Sequence, residues 1–430
     1  MWPKAVTVLA LGAAAVATWT LVALLEHPIE WLAIASDQPQ LPGWVAHALT
    51  TLFVYYAASV LVPFFLFVGW RTLANSGPTA PPAAPFVSII IPAFDEEPHI
   101  ASAIDAALDQ DYPSYEVIII DDGSRDFTKY VADRYDVVRL IALRANLGKA
   151  HALNAGLAQA MGSIVVCSDS DSALARDALK HLVAHFADPA VGAMAGTVEI
   201  PDPRSFAQRL QSIEYIYGQH LLKLAQLGSG SSVAVCPGPI SAFRRTALLQ
   251  IGGFTDGTLT EDFDATLELI RHGFAVGFDP RAVAFTSAPS TWQLLVKQRM
   301  RWSRGALQTM RLYKALLLSR TFGALGLFWL PYFLFIGYGG VILDALLIGI
   351  LPLLAWSSEN PGAMVAGGAV CFLALELLSG VQFATAIVLA GRASPRTMRD
   401  AWLMKPFTIL LAGVRLAAMF REFKGHHRSW

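Results

Sequence analysis

Three acidic clusters and one basic, tryptophan-bearing run hold the side chains of this sequence best suited to chemistry. Asp169-Ser170-Asp171 directly follows the apolar run SIVVC, Ser163 to Cys167. Two carboxylates one residue apart, just past a strand, can converge on a divalent cation, which prefers oxygen ligands. Asp121-Asp122-Gly123-Ser124 follows the run EVIII in the same way. Thr260-Glu261-Asp262 precedes a helical run from Phe263 to Arg271. A free carboxylate near a bound cation can serve as a general base, typically worth about 10²–10⁴-fold in rate. Asn146-Leu147-Gly148-Lys149 offers an ammonium to a phosphate. Gln298-Arg299-Met300-Arg301-Trp302 sets two guanidinium groups beside an indole on one stretch of chain.

Each cluster also has a plain structural reading when taken singly. D-x-D triplets are common in solvated loops, and Lys149 can simply face water. Thr260 with two acids after it reads as a helix N-cap. The basic run reads as one face of an amphipathic helix at a membrane surface.

The elements that must position these residues follow from the pattern around them. Phe86 to Pro92 (FVSIIIP), Glu116 to Asp122 (EVIIIDD) and Ser163 to Cys167 are short β-branched runs, and Ile100 to Leu108 has helical spacing. Strand, helix, strand alternation predicts an α/β domain with a mostly parallel sheet and helices on both faces. In such sheets ligands bind beyond the carboxyl ends of the strands, where the acids fall. Phe206, Leu210, Ile213, Tyr217, Leu221 and Leu224 recur at helical spacing and predict an amphipathic helix, packed on the core or against a membrane.

The two ends of the chain are of another kind. The sequence has 430 residues, of which 54% are hydrophobic and 15% charged, against about 25% charged in an ordinary soluble domain. A net charge of −1 gives no basic field for a nucleic-acid partner. Cys167, Cys236 and Cys371 lie far apart and form neither a metal-ligand spacing nor a disulfide framework. Val6 to Leu25 and Val45 to Trp70 are long enough to cross a bilayer, for which about 20 residues suffice. Leu325 to Trp356, Met364 to Ala390 and, more weakly, Trp402 to Phe420 read as further spans. These boundaries predict two spans in 1–73, a Pro- and Ala-rich linker at 74–85 and a soluble domain at 86–290. Interfacial helices follow at 291–321, then about three spans at 322–420 and a basic tail at 421–430. Arg71, the Arg311, Lys314, Arg320 cluster and the loop with Arg392, Arg396 and Arg399 place the soluble domain in the cytoplasm by the positive-inside rule. Five spans would put the tail outside, whereas Arg421, Lys424 and Arg428 favour the inside, so the parity of spans stays open.

Taken together, the order SIIIPAFDEE, VIIIDDGS, NLGKAHALNAGL, DSD, PGPISAFRR, TED and QRMRW resembles the family 2 glycosyltransferases with a GT-A fold. Within them it is similar to the processive membrane synthases of cellulose, chitin, hyaluronan and, most in layout, bacterial poly-β-1,6-N-acetylglucosamine. The resemblance spans roughly Val87 to Leu307. It implies that Ala93, Asp95 and Glu96 lie against the uridine, with Asp95 where the family usually has Asn. It implies that Asp122 reads uracil or approaches the metal, that Lys149 contacts the nucleotide, and that Asp169 and Asp171 hold Mg²⁺ or Mn²⁺ and the ribose. Asp262, beside Glu261, matches the catalytic base. Gln298, Arg301 and Trp302 match the Q-x-x-R-W motif, whose arginine meets the diphosphate and whose tryptophan holds the acceptor end.

The activity implied is inverting transfer from a UDP-sugar, which the layout points to as UDP-N-acetylglucosamine, to a growing β-linked polysaccharide. The setting implied is the bacterial inner membrane, with room for a small membrane accessory subunit. Phe328, Trp329, Tyr332, Phe333 and Phe335 would then be candidates to line a path for the polymer. Related patterns also occur in enzymes that add a single sugar to a lipid.

Overall fold

The structure is a computed structural model that describes residues 84–341, 362, 377 and 379–424. The two spans predicted in 1–73, the predicted linker up to residue 83, Cys371 and the end of the tail lie outside the described residues. Among those described, the chain divides into two compact units, one of residues 84–331 and 417–424 and one of residues 332–341, 362, 377 and 379–416.

The first unit is built on eight strands and the helices between them. In chain order these are β1 (Val87–Ala93), α1 (Ile100–Leu108), β2 (Tyr115–Asp121), α2 (Thr128–Ala132), β3 (Arg139–Ala142), α3 (Lys149–Gln159), β4 (Ile164–Cys167) and β5 (Ser172–Leu174). There follow α4 (Ala178–Val183), β6 (Val191–Glu199), α5 (Phe206–Tyr217), α6 (Leu224–Gly228), β7 (Ser241–Arg244), α7 (Arg245–Gln250), α8 (Glu261–Arg271), β8 (Ala275–Thr286) and α9 (Trp292–Leu312). The strands form one sheet in the order β3-β2-β1-β4-β7-β6-β8-β5.

Both faces of β1 and β2 are covered, which is why these strands read as unbroken apolar runs rather than alternating ones. Ile89, Ile91, Val117 and Ile119 pack with Ile100, Ile104 and Ala107 of α1 in one core cluster. On the other face α3 comes so close at Gly156 that its backbone lies against Ile90 and Ile120. Ile89 to Ile91 and Ile118 to Ile120 are all fully buried. Each such side chain contributes roughly 1.5–3 kcal/mol relative to exposure. The register then decides where the acids end up. Ala93 pairs Asp121, Asp121 pairs Ala142 and Ile90 pairs Cys167, so β1, β2 and β4 deliver Asp95, Asp122 and Asp169 to one sheet edge.

The sheet is mixed rather than mostly parallel, a correction to the expectation from sequence. β1 with β2 and β4, β2 with β3, and β6 with β8 are parallel, but β7 runs antiparallel to β4 and β6, and β5 antiparallel to β8. The cause lies in where the chain enters. The loop with Pro237, Gly238 and Pro239 sits at the carboxyl edge, so β7 begins at Ser241 opposite Cys167, the last residue of β4, and must run back. β5 likewise starts immediately past β4. With three and four residues, neither carries a legible pattern.

The predicted amphipathic helix is α5, started by a Ser205–Gln208 capping box and continued through one π-helical turn, Gly218–Lys223, into α6. Ser394 and Thr397 form a capping box for α10 (Pro395–Ala401) in the second unit; α11 (Met404–Phe423) follows, its residues from Ala417 onward belonging to the first unit. Among the described residues no single helix is long and apolar enough to cross a membrane. The pair Pro395–Ala401 and Pro406–Phe423, bent by 52°, passes by length and composition together, and Leu325–Gly339 and Ser379–Leu389 are shorter apolar helices. Trp329, one of the candidate path-lining aromatics, is fully buried and donates its indole N–H to Ser229 Oγ at 2.9 Å, a packing role.

Candidate active site

At the carboxyl edge of the sheet one cleft gathers charged side chains from three segments. Lys149, the first residue of α3, places Nζ 2.5 Å from Asp169 Oδ1 and 3.0 Å from Glu261 Oε1. The same cleft is lined by Asp262, Ser168, Cys236 and Gly238. Burial opposes the charge on Lys149, but Asp169, Glu261 and Asp262 around it outweigh burial and hold the ammonium well above the ordinary lysine range. Burial also opposes the charge on Glu261, yet Lys149 beside it keeps that carboxyl below its ordinary range.

Asp262 behaves oppositely to its neighbour. Burial, and then the Glu261 charge, push its carboxyl up to about 6. Its oxygens accept the amides of Gly238 at 3.3 Å and Phe263 at 2.8 Å, which fixes the carboxylate at the opening of α8. Adjacent acids with opposite shifts divide the work: Glu261 stays charged against Lys149, and Asp262 is the one able to take a proton near neutral pH.

Asp171 follows the same physics. Burial and the charge of Asp169 raise it to about 6, although Ser172 Oγ donates to its Oδ1 at 3.0 Å. Among the described residues no group of three or more His, Cys, Asp or Glu is placed to hold a metal. Asp169 and Asp171, one residue apart, are oxygen donors of the kind Mg²⁺ or Mn²⁺ takes alongside substrate phosphates and water. Ser168 Oγ lines the same cleft and is buried with no hydrogen-bond partner among the described residues, as expected of a group that meets a ligand.

Asp122 reaches the same edge but does not line the cleft. Its two oxygens accept the amides of Leu147 at 2.9 Å and Gly148 at 2.8 Å. It therefore anchors the turn that launches Lys149. Asp95 has a left-handed backbone, φ 52°, and its side chain accepts the Arg125 amide at 2.7 Å. Asn and Asp are the non-glycine residues best suited to that region, and the Asp95 side chain ties this turn to the loop after β2. Glu96 opens the helical turn into α1, its amide donating to Thr128 Oγ1 at 2.8 Å and its carboxylate meeting His99 Nδ1 at 2.9 Å. Ala93 closes β1, its carbonyl accepting the Asp122 amide at 2.8 Å.

Thr260 stands at the N-cap of α8, but its hydroxyl does not cap. It faces the Thr309 hydroxyl of α9 at 3.2 Å instead, because α9 packs directly on this turn. α9 carries the basic motif. Arg299 is buried, donates to Glu214 Oε2 at 2.6 Å and Gln298 Oε1 at 2.7 Å, and lies over the Trp302 ring at 4.2 Å. Trp302 stacks on Tyr215 of α5 with ring centroids 6.4 Å apart. Arg301 makes no hydrogen bond or ion pair among the described residues, yet its charge helps hold Glu261 ionised. A guanidinium so placed is available to an anionic ligand.

Sequence reasoning missed several of these residues. Gly238 lies where a Cβ would come within 2.5 Å of Lys149 Nζ and 3.0 Å of Asp169 Oδ2. Tyr215 stands beside Trp302, and Asn154 clamps both the amide and the carbonyl of Phe254. Only the glycine between two prolines carried a local signal.

A family profile described as "Glycosyltransferase like family 2" matches residues 82–305. A poly-β-1,6-N-acetyl-D-glucosamine synthase of Staphylococcus epidermidis is 30% identical over 223 residues, 51% of this chain and 54% of that protein. A probable glycosyltransferase, YdaM, of Bacillus subtilis is 30% identical over 277 residues, 60% of this chain and 65% of that protein. The chain thus spans about half the length of the staphylococcal relative. In fold it is similar to the mannosyltransferase PcManGT from Pyrobaculum calidifontis, solved in complex with GDP-Man and Mn²⁺. The TM-score is 0.54, with 21% identity over 88% of this chain and 99% of that one.

Proposed function

This chain belongs to glycosyltransferase family 2, and on that premise we propose that it transfers a sugar, with inversion, from a UDP-sugar to the growing end of a β-linked polysaccharide. The observation that carries the reading is the contrast between Glu261, held ionised by Lys149, and Asp262, raised to about 6 in the same cleft. Asp262 takes the proton of the acceptor hydroxyl as that oxygen attacks the anomeric carbon. The bond to the diphosphate breaks on the opposite face, so a single displacement leaves a β-linkage. Arg301 meets the charge that develops on the departing UDP, and Trp302, stacked on Tyr215, offers a face to the acceptor sugar. Asp169 and Asp171 would hold Mg²⁺ or Mn²⁺, which supplies further neutralisation of the diphosphate.

The staphylococcal synthase, 30% identical, supports N-acetylglucosamine as the sugar and repeated addition as the mode. The apolar runs Val6 to Leu25, Val45 to Trp70 and Leu325 onward support an enzyme embedded in the bacterial inner membrane, with a cytoplasmic catalytic unit that exports its product. The test is to incubate the purified full chain with a panel of UDP-sugars and Mg²⁺ or Mn²⁺, then digest the product with linkage-specific glycosidases. A ladder made from UDP-N-acetylglucosamine and cut by a β-1,6-specific enzyme is expected. A single sugar on a lipid would overturn repeated addition, and a ladder from another donor would overturn the choice of sugar.

A further inference from the structure

Helix α9 does more than carry the Q-x-x-R-W motif. One to three turns further on, a second face grips the segment that opens α8. Gly305 lies where a Cβ would come within 2.6 Å of Thr260 Cγ2, Thr309 meets the Thr260 hydroxyl at 3.2 Å, and the Tyr313 hydroxyl donates to Asp264. Gln308 stands among them and is engaged at both ends. Its Oε1 accepts the amide of Leu259 at 3.0 Å, and its Nε2 donates to Glu422 Oε1 at 3.0 Å. The same Glu422 oxygen accepts Arg304 Nε at 2.5 Å. Both charged side chains are largely buried, 7% exposed for Arg304 and 15% for Glu422. A pair this buried costs desolvation that surface pairs avoid, so its presence is weak evidence of added stability.

We propose that Gln308, set by the Glu422–Arg304 pair, is a positioning residue for the catalytic turn: the last turn of α11 holds Gln308, Gln308 holds the Leu259 amide, and that amide sets the backbone that aims Asp262. The inference rests on the reading of Asp262 as the base. Gln308 never touches substrate. Its amide has a fixed polarity, with a donor required on one side and an acceptor on the other. Leu259 N–H can only donate, so Glu422 must accept.

That polarity supplies the test, made on the full chain. Gln308→Leu and Gln308→Glu are each expected to lower kcat about 10-fold with donor KM nearly unchanged, since sub-ångström misplacement of a base acts on the transition state. Gln308→Glu faces Glu422 with a second carboxylate. The double variant Gln308→Glu with Glu422→Gln restores a donor opposite an acceptor, and is expected to recover most of the lost kcat. Hydrogen exchange, which needs no activity, should show faster exchange at residues 258–262 in Gln308→Leu and restored protection in the double variant. Unchanged kcat in Gln308→Leu, absence of rescue, or loss of protection spread over the whole sheet would each overturn the proposal. A wild-type chain that turns over no UDP-sugar would instead overturn the transferase chemistry assigned to Asp262, while the exchange data still judge the Gln308 contact.

Discussion

Lys149 Nζ sits 2.5 Å from Asp169 Oδ1, at the start of α3 and the end of β4 respectively. With Glu261 3.0 Å away on the other side, this ammonium is what allows three acids to share one cleft. Lys149→Met would leave them facing one another. Breaking a buried ion pair by removing one partner typically costs about 3–5 kcal/mol, less where the side chains are a quarter exposed as here. The variant should therefore melt several degrees below wild type at pH 7.5. Acid should narrow the gap: without the cation the carboxyls bind protons more readily in the folded than in the unfolded chain, so lowering pH stabilises the variant relative to wild type. Equal melting curves across pH would contradict the role given to Lys149.

The pH profile of turnover should report Asp262. A base works when deprotonated, and burial with Glu261 beside it raises this carboxyl to about 6. Because kcat/KM reports the free enzyme, kcat/KM should be level above about pH 7 and fall about tenfold per pH unit below 6. The charged form is the disfavoured one in the fold, so Asp262 contributes stability below the unfolded carboxyl range and loses it as pH rises through 6. Asp262→Asn should accordingly raise the melting temperature at pH 7.5 by about 2–4 °C, the shift that ~1 kcal/mol produces in a domain of this size. A variant that melts lower would argue against a strained carboxylate.

How much of this was legible in the sequence differs from residue to residue. β1, β2 and β4 announce themselves because each is an apolar run buried on both faces and followed within two residues by an acid, so Asp122 and Asp169 could be placed at a sheet edge from the pattern alone. β5 and β7 could not, being only three and four residues long and oriented by where the loops deliver the chain. Thr260 reads as a cap, and the cap is absent because a helix distant in sequence takes its hydroxyl. The same holds for Tyr215 against Trp302 and Gln308 against Leu259. These pairs are made by packing between elements, and local periodicity carries no trace of them.

Gly238 should tolerate no side chain. A Cβ there would lie 2.5 Å from Lys149 Nζ and 3.0–3.1 Å from both Asp169 oxygens, atoms already held by each other. Gly238→Ala is expected to lower kcat/KM at least about tenfold, because displaced charges lose their preorganised positions. The far-UV spectrum should stay that of wild type, since β7 begins three residues later at Ser241. Wild-type kcat/KM would show that the glycine is incidental.

Arg301 should resist conservative replacement. It has no protein hydrogen bond among the described residues, so a fork of parallel donors is free to meet two phosphate oxygens, which an ammonium cannot match. Arg301→Lys should lower kcat about 10²-fold, the scale of losing one electrostatic donor to the transition state. Retention of most activity by the lysine variant would mean that charge alone suffices.

The central claim is that Asp262, and not Glu261, removes the proton of the acceptor. Single-turnover transfer from a radiolabelled UDP-sugar, measured for wild type, Asp262→Asn and Glu261→Gln at pH 7.5, tests it most directly. The expected result is that Asp262→Asn binds the donor with wild-type affinity yet transfers at least about 10³-fold more slowly. Glu261→Gln, which loses the carboxylate paired with Lys149, should show weakened donor binding with a smaller loss in the transfer step. Near-normal transfer by Asp262→Asn, with the chemical step lost only in Glu261→Gln, would contradict the account.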